Sequence, residues 1–168
     1  MDNKKLLENL IKLYGNDVLK IATIYTQNPN TAEDIFQEVF IKVNKYISSF
    51  KKESSIKTWI IKITINTCKD YLKSSWKKKI VYLENFNHNE NIEPADDNII
   101  SSEKSNSIIK EILSLPEKYK DVIILYYYKC FNTLEISKIL NIPEATVRTR
   151  MKRAREILKE KLQIILED

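Results

Sequence analysis

The chain has a single glycine, Gly15, among 168 residues, together with four prolines, two cysteines and one histidine. So little glycine rules out the usual phosphate-cradling loops, whose backbones need several glycines to approach a nucleotide closely. It also argues against a turn-rich β fold. Cys68 and Cys130 are remote from each other and from His88. Neither a disulfide framework nor a metal-ligand spacing is present, so both thiols are expected to be reduced bystanders. No apolar run approaches the roughly 20 residues that span a bilayer. The start, Met1-Asp2-Asn3-Lys4-Lys5, lacks the apolar stretch of a secretory leader. These absences lead us to expect a cytoplasmic protein with no cofactor, no metal and no catalytic residue.

What is abundant is isoleucine, leucine, lysine and glutamate, with apolar residues recurring at three- and four-residue spacing. That pattern favours helices throughout. Helical periodicity runs from Asp2 to about Ser75, with turn-forming breaks at Gln27-Asn28-Pro29-Asn30 and at residues 48–55. Residues 77–106 change character: Glu84, Glu90, Glu93, Asp96, Asp97 and Glu103 are scattered among asparagines and serines. Periodicity resumes at Ile108-Ile109 and is punctuated by Pro116 and Pro143. The expected organisation is all-α. Two small helical domains, 1–76 and 107–168, are joined by a flexible acidic linker over 77–106, and each is near the lower size limit for its own core. The formal charge of +5 suits a polyanionic partner but decides little alone.

The most specific local signal lies near the C-terminus. Asn132 with Glu135 three residues on predicts a capping box opening a short helix, whose Leu134, Ile136, Ile139 and Leu140 are available for a core. Asn141-Ile142-Pro143 ends it, and Pro143 sits where a new helix begins. On the second helix Val147, Met151, Ala154, Leu158 and Leu162 form one apolar stripe. Arg148, Thr149, Lys152 and Arg153 fall opposite, Arg150 and Arg155 flank the stripe, and no acid occurs between Val147 and Arg155. A helix, tight turn and basic helix in this order fit a DNA major groove. A solvated basic face on a structural helix is the plainer alternative.

Leu115-Pro116-Glu117-Lys118-Tyr119-Lys120-Asp121-Val122, then Leu134-Glu135-Ile136-Ser137-Lys138-Ile139-Leu140, then residues 145–155 resemble region 4 of the extracytoplasmic-function sigma factors. The resemblance implies reading of the promoter minus-35 element, with Thr146, Arg148, Thr149, Lys152 and Arg153 as the DNA-binding positions. Two departures stand out: Cys130 and Ala145 each replace a common glycine. Both replacements are harmless where the backbone is not left-handed.

In the first half, Asn30 and Glu33 predict a second capping box and a helix to about Ile47. Its buried stripe is Ala32, Phe36, Val39, Phe40 and Val43, and its outer face carries Asp34, Gln37, Glu38, Ile41 and Lys45. Residues 32–42 are similar to the polymerase-docking part of region 2 in the same family. The likeness implies that Asp34, Gln37, Glu38 and Ile41 bind the clamp coiled coil of core RNA polymerase, with region 4 meeting its flap. Residues 50–59 and the helix after them look like the promoter-opening part of region 2, which implies minus-10 recognition by Phe50, Ser54, Ser55, Lys62 and Asn66. Lys52 stands where the family usually has glycine. Trp59, Ile63 and Thr67 share a helical face and are expected to be core. The family further implies control by an anti-sigma factor, commonly membrane-anchored.

Three readings remain open at this point. A sigma factor accounts for both halves. An autonomous DNA-binding regulator accounts for the C-terminal motif and the charge, but not for the outer face around Gln37 or the loop before Trp59. An enzyme is poorly supported, because His88 is isolated and no carboxylate pair is placed over a pocket.

Overall fold

A computed structural model describes residues 3–85 and 103–167. The chain divides into two compact units, Met1–Asn98 and Ile99–Asp168. His88 and the acids between Glu90 and Asp97 lie outside the described residues.

The first unit contains α1 (Asn3–Thr26), α2 (Pro29–Tyr46), a short 3-10 turn at Ile47–Ser49 and α3 (Ile56–Asn85). All three helices pack on one another. Their shared core includes Val18, Ile21, Ala22, Ile35, Val39, Val43, Ile60, Ile61 and Ile65, each essentially fully buried. A large aliphatic side chain buried this completely contributes about 1.5–3 kcal/mol relative to exposure. Gly15 takes no part in a turn. It is buried inside α1, where it admits the ring of Phe36.

Four details of this unit differ from the sequence expectations. The box at Asn30 and Glu33 does not form: α2 begins at Pro29, and the Asn28 side chain accepts a hydrogen bond from the Thr31 N–H at 2.9 Å. Pro29, preset for a first helical position, moves the start forward. Ile35 joins the buried stripe of α2, while Phe36 is half-buried. On α3, Trp59 and Ile63 are half-buried rather than core. The buried face is formed by Ile60, Ile61, Thr64, Ile65, Thr67 and Cys68. α3 also extends to Asn85, beyond the helical end expected near Ser75.

The second unit comprises α4 (Glu103–Leu113), α5 (Glu117–Ile123) continued by a π turn (Ile124–Tyr128), α6 (Thr133–Leu140) and α7 (Glu144–Glu167). α7 packs against α4, α5 and α6. Val122, Leu125, Ile136, Val147 and Ala154 are fully buried, with Ile139 and Met151 nearly so. Leu158 and Leu162 lie half-buried at the end of the stripe. Leu134, expected to reach the core, is 53% exposed. Among the described residues no side-chain nitrogen or oxygen is buried without a partner.

Among the described residues, four other than glycine adopt left-handed backbone: Gln27, Lys52, Cys130 and Asn141. Asn141 suits that conformation and caps α6. Cys130, with φ 54°, is left-handed after all, so its replacement of glycine carries strain. The reversal it makes returns Phe131 to the core, with the Phe131 N–H reaching Leu125 O at 3.1 Å. Ala145 lies within α7 and meets no such cost.

Candidate nucleic-acid and partner interfaces

The helix-turn-helix of α6 and α7 is fixed at its start, its turn and its far end. At the start of α6, Asn132 Oδ1 accepts from the Glu135 N–H and Glu135 Oε2 accepts from the Asn132 N–H, both at 2.9 Å, completing the expected capping box. At the turn, Ser137 Oγ donates to Ile142 O at 2.7 Å, and the Ile142 N–H returns to Ser137 O at 3.1 Å. Between the helix starts, Thr133 Oγ1 donates to Glu144 Oε1. The angle between the helices is therefore set by side-chain hydrogen bonds as well as by packing.

This frame leaves Arg148, Thr149, Lys152 and Arg153 exposed on one face of α7, with Thr146 half-buried beside them. Both exposed arginines are held by acids of their own helix. Arg148 Nη2 meets Glu144 Oε1 at 2.8 Å, and Arg153 Nη1 meets Glu156 Oε2 at 3.1 Å. Hydrogen bonds from Thr133 first, and then from Arg148, hold the Glu144 carboxyl below the ordinary carboxylate range. The hydrogen bond to Glu156 raises the already high value of Arg153. Glu144 and Glu156 stand just outside the acid-free stretch from Val147 to Arg155. Their helical spacing from Arg148 and Arg153 was the available signal.

Arg155 is engaged elsewhere. Its Nε donates to Tyr127 Oη at 2.8 Å, and its guanidinium lies 5.7 and 5.6 Å from the ring centres of Tyr126 and Tyr127. The π turn thus takes up one flanking arginine by hydrogen bonding and cation–π contact. Thr149 Oγ1 donates to Ala145 O at 3.0 Å, which leaves its oxygen able to accept.

In the first unit the outer face of α2 presents Asp34, Gln37, Glu38 and Ile41, all exposed, with Ile41 at 67%. Glu38 is not free to swing. Lys42 Nζ sits 2.7 Å from Glu38 Oε1 and donates to Thr67 Oγ1 of α3 at 3.1 Å, anchoring the acid to the neighbouring helix.

The loop between the 3-10 turn and α3 is ordered at both ends. The Phe50 N–H donates to Ile47 O at 3.2 Å, and Ser55 Oγ accepts from the Thr58 N–H at 3.0 Å as the cap of α3. Lys52 turns the loop with φ 57°, the conformation a glycine would take without strain. Phe50 packs on Trp59, ring centres 5.2 Å apart and tilted by 44°. Trp59, Lys62, Ile63 and Asn66 share the outer side of α3, with Asn66 exposed and the others half-buried. The result is an aromatic pair at the loop base continuing into a polar strip. Ser54 is half-buried and Ser55 is exposed, its hydroxyl spent on the cap.

No cluster of metal-ligating side chains occurs among the described residues, and no helix there is long and apolar enough to cross a membrane.

Residues 10–78 match the Sigma-70 region 2 family, and residues 105–158 match the Sigma-70, region 4 family. The chain is 31% identical over 173 residues to the ECF RNA polymerase sigma-E factor of Haemophilus influenzae, covering 98% of this chain and 91% of the relative. It is 34% identical over 166 residues to the ECF RNA polymerase sigma factor SigW of Bacillus subtilis, covering 92% and 88%. In fold it is similar to the sigma factor RpoE of Bartonella quintana, solved in complex with the anti-sigma factor NepR. The TM-score there is 0.74, with 21% identity and 95% and 98% of the two chains covered. Region 2 and region 4 thus stand in the order expected from the two halves, and the chain belongs to the extracytoplasmic-function sigma factors of the sigma-70 family, which direct promoter-specific transcription initiation.

Proposed function

We propose that this chain joins core RNA polymerase in the cytoplasm and supplies its promoter contacts through two surfaces distinct from those that dock on the polymerase. Asp34, Gln37, Glu38 and Ile41 dock on the clamp coiled coil, and the second unit meets the flap. Thr146, Arg148, Thr149, Lys152 and Arg153 read the minus-35 duplex in the major groove, the arginines addressing base edges and the lysine a phosphate. Phe50, Ser54, Ser55, Lys62 and Asn66 receive the opened minus-10 strand.

The observation that carries this reading is the exposed face of α2 in the same chain as the helix-turn-helix. An autonomous regulator gives no account of a face that sets an exposed Ile41 beside Asp34, Gln37 and an anchored Glu38. The aromatic base of the loop, Phe50 on Trp59, gives an unstacked base a surface to lie against, while Lys62 is placed to hold the backbone. Unstacking costs a few kcal/mol per base, and a surface that binds only the extruded base offsets it. Opening then needs no nucleotide hydrolysis by this chain. The chain itself is not an enzyme: RNA synthesis belongs to the polymerase. An anti-sigma factor that covers these surfaces, held at the membrane in many such systems, accounts for regulation.

Promoter opening tests the assignment. A fluorescent base analogue in the minus-10 element should report slower opening for Asn66→Ala holoenzyme while initial docking is preserved. A normal opening rate in that variant removes Asn66 from the minus-10 site.

A further inference from the structure

We propose that Glu144 is a specificity-determining positioning residue, whose carboxylate, tied to α6 through Thr133, fixes Arg148 for base reading and repels DNA that offers only phosphates. The inference rests on the minus-35 assignment of α7 and adds a residue that this assignment does not contain.

Glu144 Oε1 is shared between two donors from different elements, Thr133 Oγ1 at the start of α6 and Arg148 Nη2 one turn along α7. Thr133 itself is held, because it follows Asn132 in the completed capping box. A continuous line of contacts therefore runs from the α6 cap through Thr133 and Glu144 to a guanidinium whose side chain is 70% exposed. An arginine on a surface helix normally samples many rotamers, and ordering it on binding costs free energy. Here one rotamer is selected before DNA arrives. Arg153 differs: its partner, Glu156, lies on its own helix at the next turn. Of the two arginines assigned to the minus-35 element, Arg148 is the one tethered to α6 through Glu144 and Thr133.

The second consequence is electrostatic. The Glu144 side chain keeps 35% of its surface exposed at the end of the helix that enters the groove. The Thr133 and Arg148 hydrogen bonds favour its ionised form. A fixed negative charge there weakens binding driven by phosphates alone. It leaves the remaining guanidinium donors of Arg148 available to a base edge. Discrimination is the difference between those two affinities, so a repulsive group raises it even while lowering overall affinity.

The test uses the full chain with core polymerase, selecting from duplex promoters randomised through the minus-35 element. Arg148→Ala first marks the positions that Arg148 reads. Glu144→Ala and Thr133→Val should each flatten base preference at those positions by about three- to tenfold and leave the others unchanged. In a parallel salt titration of free chain on random-sequence duplex, Glu144→Ala and Glu144→Gln should bind about twofold or more tighter than wild type. Thr133→Val should match wild type there. Glu144→Gln keeps an acceptor for both donors, so it should retain base preference while gaining random-sequence affinity. A uniform loss at every position, or no loss in either Glu144→Ala or Thr133→Val, overturns the proposal. Wild-type holoenzyme without minus-35 preference would instead overturn the assignment of α7 on which it rests.

Discussion

Gly15 of α1 lies against Phe36 of α2 so closely that a Cβ at Gly15 would stand 3.2 Å from Phe36 Cε2. The chain's only glycine is thus used for a helix crossing, while its left-handed turns are made by residues that carry side chains. Phe36 is in turn 5.0 Å from Phe40 by ring centres, which restricts how far it can retreat. Gly15→Leu should therefore destabilise the first unit by about 1–3 kcal/mol through overpacking. Urea unfolding followed by tryptophan fluorescence reads that unit, because Trp59 and Trp76 both fall in it. An unchanged midpoint would show that the helix crossing tolerates the added side chain.

Lys52 and Cys130 hold left-handed backbone with φ 57° and 54°. Lys52→Gly and Cys130→Gly should each stabilise their unit by about 0.5–1 kcal/mol, the relief of left-handed strain exceeding the added entropy of glycine. Asn141→Gly should change little, since asparagine already tolerates that conformation. Thermal unfolding of the three variants checks the order. Destabilisation by Cys130→Gly would contradict the strain assigned there.

Glu144 gives the second unit a defined acid dependence. Its carboxyl is depressed by the Thr133 hydrogen bond and then by Arg148. A depressed folded-state value contributes stability that is fully present above the unfolded value and is lost as pH falls through the folded one. Glu144→Gln should therefore be less stable than wild type at neutral pH, with the gap closing as the pH falls through the depressed value of the folded-state carboxyl. Chemical denaturation across that pH range, with carboxyl carbon NMR titration of Glu144, measures it. A gap that persists in acid excludes the ionised carboxylate as its source.

Arg148→Ala and Arg153→Ala should each weaken minus-35 recognition by about 1–3 kcal/mol where the guanidinium contacts a base. Lys152→Ala should instead weaken binding across all sequences and reduce the salt slope by about one. Competition between cognate and scrambled minus-35 duplexes, repeated over a salt series with holoenzyme, separates the two behaviours. Equal losses on both duplexes for Arg148→Ala would reassign it to the phosphates.

The helix-turn-helix was the most legible part of the sequence, because caps, proline and apolar spacing all agree there. Asn132, Glu135 and Pro143 mark its boundaries without ambiguity. The start of α2 was harder: two asparagines compete, and Pro29 decides for Asn28 by preferring the first helical turn. Leu134 and Trp59 show the limit of periodicity, which ranks faces but not depth of burial. The ion pairs of Arg148 and Arg153 were readable from spacing, whereas the hydrogen bond from Thr133 to Glu144 depends on how two helices cross. The left-handed turns at Lys52 and Cys130 were marked only by the glycine usual in the family at those positions, since neither residue type itself favours that conformation. The polymerase-docking role proposed for Ile41 rests on the family resemblance, because one exposed isoleucine taken alone is ordinary on any surface.

The most direct test of the whole account is run-off transcription from genomic promoter fragments with core RNA polymerase, with and without the purified chain. The account predicts discrete transcripts only when both are present, weak duplex binding by the chain alone, and loss of transcripts when Ile41→Glu disrupts the α2 face. Specific duplex binding by the isolated chain, with no association with core polymerase and no transcripts, would contradict it.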